Sequence, residues 1–108
     1  MASGVLGSND LGANTNTSVY TVPADTYSVV TVSICNRGSS TANIRIAVAA
    51  AASPAASEYI EYDVALGPNG VLERTGIVAQ ATKIIVVRSS QASVSAVVMG
   101  IETAVPAS

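Results

Sequence analysis

Cys35 is the only cysteine in a 108-residue chain that contains no histidine. Those two facts restrict the chemistry within the chain at once. Histidine is the commonest general base and metal ligand, so no Cys–His pair or Ser–His–Asp triad can be assembled from these residues. One thiol and no imidazole also leave zinc without its usual donors. A reactive thiolate needs nearby cations or a helix N-terminus, and the only cation local to Cys35 in sequence is Arg37. Cys35 therefore reads as a small packing side chain at the end of a strand. The alternative is an intersubunit disulfide, since a lone cysteine has no partner within the chain. The carboxylates are the other candidates. Glu61 and Asp63 fall on one face of a strand, ~7 Å apart at ~3.4 Å per residue, with Glu58 just before them. A glycosidase pair or a calcium site needs such groups. Tyr59 shares that face and no Asp-x-Asp-Gly loop follows, so a solvated strand face is expected, with Arg45, Arg74 and Arg88 pairing with the acids across strands. No Gly-rich phosphate loop joins a strand to a helix. Catalytic, metal and cofactor sites are all expected to be absent, and no enzymatic activity is expected.

The elements that carry these residues are strands. Val30, Val32 and Ile34 alternate with Thr31, Ser33 and Cys35 along Tyr27–Cys35. Ile44, Ile46 and Val48 alternate with Asn43, Arg45 and Ala47 along Asn43–Val48. The cluster Asn36-Arg37-Gly38-Ser39-Ser40 between them is a turn, which makes a hairpin. Val19–Val22 closes at Pro23. In Glu58–Val64, Ile60, Tyr62 and Val64 oppose Tyr59, Glu61 and Asp63. Val71–Thr75 follows the turn Leu66-Gly67-Pro68-Asn69-Gly70. Thr82–Arg88 is apolar enough for burial on both faces, and Val94–Glu102 is the last strand. The Ala-rich stretch 49–57 favours helix by composition, but Pro54 interrupts it and a loop is expected. The pattern predicts an all-β, antiparallel sandwich, jelly-roll-like, with about seven or eight strands at spacings of roughly ten residues. Residues 1–18 read as an N-terminal arm, 19–103 as the sandwich and 104–108 as a tail. The apolar points of the arm, Val5, Leu6 and Leu11, are its candidate partner contacts.

Composition narrows the partners. Charged residues make up 11% of the chain, the net charge is −2 and Lys83 is the only lysine. Average domains carry about 25% charged residues, and phosphate neutralisation needs clustered Lys and Arg, so nucleic acid is not an expected partner. No run of ~18 apolar residues offers a membrane span, and no secretory signal is evident. Aromatic residues are 4%, all tyrosine, against 49% hydrophobic residues overall. A thin aliphatic core and a low-charge surface suit a protein packed against others. A homo-oligomer is expected, with a trimer favoured slightly over a dimer.

One stretch carries a resemblance. Tyr20-Thr21-Val22-Pro23-Ala24, a Val-rich strand ending Cys35-Asn36-Arg37-Gly38, the strand around Ile44-Arg45-Ile46, the element Tyr59–Asp63 and the ending Gly100-Ile101-Glu102 occur in that order over residues 14–102. Together they resemble a β-sandwich module of tailed-bacteriophage virion proteins. The Ala-rich loop has no counterpart in that pattern. The resemblance implies a non-enzymatic virion component. A stand-alone module of this size suits a capsid decoration, or cement, protein on the phage head, with the major capsid protein as partner. The alternative is a tail or fibre component contacting the host surface, for which Tyr20, Tyr27, Tyr59 and Tyr62 are the available sugar platforms.

Overall fold

The computed structural model describes residues 2–105. Eight strands run in chain order: β1 (Ser3–Leu11), β2 (Thr17–Thr21), β3 (Thr26–Asn36), β4 (Ala42–Ala49), β5 (Tyr59–Leu66), β6 (Val71–Ala79), β7 (Ile84–Ser89) and β8 (Val94–Ala104). They form two antiparallel four-stranded sheets. The front sheet has the order β1-β8-β3-β6 and the back sheet β2-β7-β4-β5. In every case β1·β8, β2·β7, β3·β6 and β4·β5 are neighbours. The chain is thus one long double ribbon rolled into two layers, the jelly-roll arrangement.

Alternation along the central strands explains the layering. β3 buries Thr26, Ser28, Val30, Val32, Ile34 and Asn36 and leaves the residues between them more open. β8 does the same with Val94, Ala96 and Val98. The core between the sheets is aliphatic, filled by Ile34, Ile44, Ile46, Ile85 and the valines, with Tyr20 as its buried aromatic side chain. β7 is buried on both faces as its sequence requires. Ile85 and Val87 enter the main core, while Val86 joins Ala47 and Ala49 in a small outer cluster closed by Tyr59 and Ile84. Ala47, assigned outward by alternation, is therefore buried, but beneath Tyr59 on the far side of the back sheet.

Three expectations need correction. Residues 3–11 are not a free arm: they form β1, paired along its length with β8 from Ser3↔Ile101 to Leu11↔Val94. Its pattern is hidden because β1 is an edge strand with a register shift between Val5 and Gly7, so no strict alternation survives. Thr17 and Ser18, placed in the same arm, open β2. At the other end, Ala104 closes β8 and the Val105 amide donates to the Asp25 carbonyl; residues 106–108 of the expected tail, like Met1, lie outside the described residues. Finally, β5 does not alternate. Two register shifts against β4 and a positive φ of 53° at Asp63 turn Tyr62 and Asp63 both to the surface. An Asp tolerates that conformation better than a branched residue would.

The Ala-rich connection is a loop with one 3-10 turn at Ala56–Glu58. It is stapled by Glu58, whose carboxylate accepts from the Ala55 amide at 2.8 Å and the Ala50 amide at 3.0 Å. These two bonds hold the Glu58 carboxyl below its usual range.

A polar pin joins the sheets at one end of the core. The Tyr20 hydroxyl donates to Glu102 Oε2 at 2.6 Å, so the Ser28 hydroxyl, also at 2.6 Å, donates to Tyr20. Glu102 Oε1 in turn accepts from the Ala2 amide. Burial, followed by the bond to the carboxylate, pushes the Tyr20 hydroxyl up from 10.0 to about 12. Below pH 10 both folded and unfolded chains keep this proton. Between 10 and 12 the unfolded chain loses it first, so stability falls as pH rises through that window. Urea midpoints followed across the same alkaline range should show the fall. Tyr20→Phe should flatten it and cost about 1–2 kcal/mol at neutral pH. A wild-type alkaline profile in the variant would discard the assignment.

Candidate functional site

The two outer faces of the sandwich carry different side chains. On the front sheet, Val78, Val29 and Ile101 lie side by side across β6, β3 and β8, by the pairings Val29↔Val78 and Val29↔Ile101. The next row carries Thr31, Met99 and Val5, by Thr31↔Met99 and Val5↔Met99. Val78 is 68% exposed, Val5 67% and Ile101 52%. This is a contiguous apolar surface at the middle of a sheet, where scattered single residues would need no comment.

The sequence-predicted contacts divide on this face. Val5 belongs to the apolar surface. Leu6 is half-buried and packs against the main core, and Leu11 is 2% exposed within it. Leu6 and Leu11 thus anchor β1 to its own sandwich and are not free for a partner as expected, because β1 is already docked. Cys35 also lies on this sheet, half-exposed between Val71 and Ser95 at the end of β3, with a free thiol. Arg37, its nearest cation in sequence, turns to Asp10 and to Ser95 Oγ.

On the back sheet the outer face carries a polar group of side chains beside the small cluster around Val86. Arg45 of β4 binds Asp63 of β5 through two nitrogens, at 2.7 and 3.3 Å. This is the bidentate geometry that suits guanidinium and carboxylate. The bond holds Asp63 below its usual range, and the nearby charge of Arg88 acts in the same direction. Arg45 also lies over the Tyr62 ring, 4.2 Å from its centroid, and Tyr62 meets Tyr59 edge to face at 5.1 Å. Glu61 does not join Asp63. It turns to Arg74 of β6 at 3.1 Å, so the bulge in β5 divides the two carboxylates between two arginines. Among the described residues, no three of Asp, Glu, Cys or His come together as metal donors.

Beside the Arg45–Asp63 pair a cleft of about 190 Å³ opens, lined by Asn14, Asn43, Arg45, Asp63, Arg88 and Ser90. Pairing of β4 with β7 sets Arg45 directly opposite Arg88. The Asn14 amide donates to the Ser89 carbonyl, which brings the β1–β2 connection to the rim. The Asn43 amide donates to Ser90 Oγ, leaving that hydroxyl its own proton. Asn14 and Ser90 lie in loops, and Arg88 is far from Arg45 in sequence. Only strand register unites them, and no local motif signals it. No protein-family model matches the chain, and none of the curated proteins is significantly similar to it, so the resemblance to phage virion modules rests on the sequence motifs alone.

Proposed function

We propose that this protein is a non-enzymatic structural component of a bacteriophage virion, a capsid decoration or cement protein that docks on the major capsid protein at the outer surface of the head. The observation that carries this reading is the apolar row Val78, Val29 and Ile101 on the front sheet, continued by Val5. Burying an exposed aliphatic side chain returns roughly 1.5–3 kcal/mol. A few such contacts per copy, repeated over a lattice, reinforce a shell through many modest attachments. The jelly roll is compatible, since capsid and lectin domains both use it, but that is analogy of fold only. Self-association goes with this reading, a trimer being favoured slightly over a dimer because capsid lattices offer many local three-fold sites. The tail or fibre reading draws its support from the polar cleft on the opposite face.

Undecorated heads incubated with the purified protein and imaged by electron cryomicroscopy test the proposal. Wild type should occupy regular sites on the head. Val78→Asp combined with Ile101→Asp should remain folded, because both side chains are exposed, and should lower occupancy about tenfold or more. Binding confined to tails, or full occupancy by the double variant, would overturn it.

A further inference from the structure

We infer that the cleft on the back sheet binds a carboxylated sugar, such as a uronic acid unit of an acidic polysaccharide. The first reason is charge. The chain has five cationic side chains, and the fold sets two of them, Arg45 and Arg88, directly opposite on adjacent antiparallel strands. Like charges in that position oppose each other. One carboxylate, Asp63, serves the pair, and it is engaged by Arg45. Among the described residues Arg88 enters no ion pair. A bound carboxylate on Arg88 relieves the repulsion and gains a charge-assisted bond.

The second reason is the rest of the lining. Binding pockets for apolar ligands are walled by hydrophobic side chains, whereas this one is walled by two amides, two guanidiniums, a carboxylate and a hydroxyl. Asn14 and Asn43 each offer both donors and an acceptor, Ser90 retains a hydroxyl proton, and Asp63 accepts. That mixture matches the vicinal hydroxyls of a sugar ring. An acidic peptide side chain would use only the cations and would leave the two amides and the Ser90 hydroxyl without ring hydroxyls to bind. The volume suits a single ring, and the Tyr62 ring, 58% exposed beneath Arg45, extends the surface at the rim. The cleft lies on the sheet opposite the apolar row, so docking through that row leaves it open.

Nuclear magnetic resonance titration of the labelled full chain with glucuronic acid, glucose and acetate tests it. Glucuronic acid should move the amides of Asn14, Asn43, Arg45, Asp63 and Ser90 saturably, with millimolar affinity. Glucose and acetate should each bind about tenfold or more weakly. Arg88→Gln should lower glucuronic acid affinity about tenfold while leaving the melting temperature unchanged or slightly raised, because it removes the like-charge neighbour. Asn14→Gly, which keeps the positive φ of 53° at that position accessible, should weaken binding without touching the arginines. Absence of saturable shifts overturns the inference. Acetate binding as well as glucuronic acid reduces the cleft to an adventitious anion site only. Equal binding of glucose removes the role of charge, and wild-type affinity in both variants removes the site.

Discussion

Asn36→Ala should destabilise the protein by about 3–5 kcal/mol, lowering the melting temperature by roughly 12 °C or more. Asn36 sits at the end of β3 with no solvent exposure. Its side-chain nitrogen donates to the Ser40 carbonyl at 2.8 Å and the Leu66 carbonyl at 2.9 Å. Its side-chain oxygen accepts from the Gly38 amide at 2.9 Å and from Gln91 Nε2 at 3.3 Å. The backbone continues the pattern, receiving Asn69 and donating to Gly70. One residue therefore ties together the β3–β4, β5–β6 and β7–β8 connections. Truncation removes the donor to the Leu66 carbonyl from a buried bond and the acceptor of the Gly38 amide, each at about 1–3 kcal/mol, while the Ser40 carbonyl still accepts from Gln91 Nε2. Asn36→Asp separates hydrogen bonding from volume. It keeps the shape but turns an acceptor toward the carbonyls of Ser40 and Leu66, so it should be at least as damaging. Chemical denaturation of both variants measures this, and an Asn36→Asp protein near wild-type stability would refute the account.

Gly100→Ala should cost about 3 kcal/mol or more, a large share of the roughly 5–15 kcal/mol typical of a domain. Gly100 lies in β8 between Gly4 of β1 and Val30 of β3. A Cβ there would stand 2.1 Å from the Val29 carbonyl oxygen and 2.8 Å from the Val30 Cα. Both are backbone atoms of a central strand, so no rotamer change relieves the contact and β8 must separate from β3. β1, whose only neighbour in its sheet is β8, would be displaced with it. Gly67→Ala is the control, because nothing lies within 4 Å of the position its Cβ would take. That change should stay within about 0.5 kcal/mol. Equal melting temperatures for the two variants would contradict the packing argument.

The sandwich is legible in the sequence where one face of a strand is buried and the other is not. β3, β4 and β8 announce themselves because Val30, Val32, Ile34, Ile44, Ile46, Val94 and Val98 recur at a period of two around a single core. β7 is legible as an unbroken apolar run because it has apolar neighbours on both sides. β1 is not legible, since an edge strand with one shifted register needs few apolar residues. In β5 the alternation is present as a pattern of letters, but extra residues in the ladder override it and carry Tyr62 outward. The paired arginines at the cleft illustrate the deeper obstacle. Arg45 and Arg88 become neighbours through the register of β4 against β7, which composition does not encode. Asn36 shows the same limit, since its residue type suggests the local turn while its partners in the β5–β6 and β7–β8 connections come from elsewhere in the chain.

The nested ribbon also orders events during synthesis. β4 and β5 can meet across the short Ala-rich connection as soon as both have been made. β3 must wait for β6, β2 for β7, and β1 for β8, with each closure spanning a longer intervening chain and a greater entropic cost. Ser3 pairs with Ile101, nearly a hundred residues further along the chain. While the C-terminal strand is still inside the ribosome, the first strand has no neighbour, and β3 shows a bare edge where β8 will lie. On a polysome, that interval is when a neighbouring nascent chain can fill the edge instead.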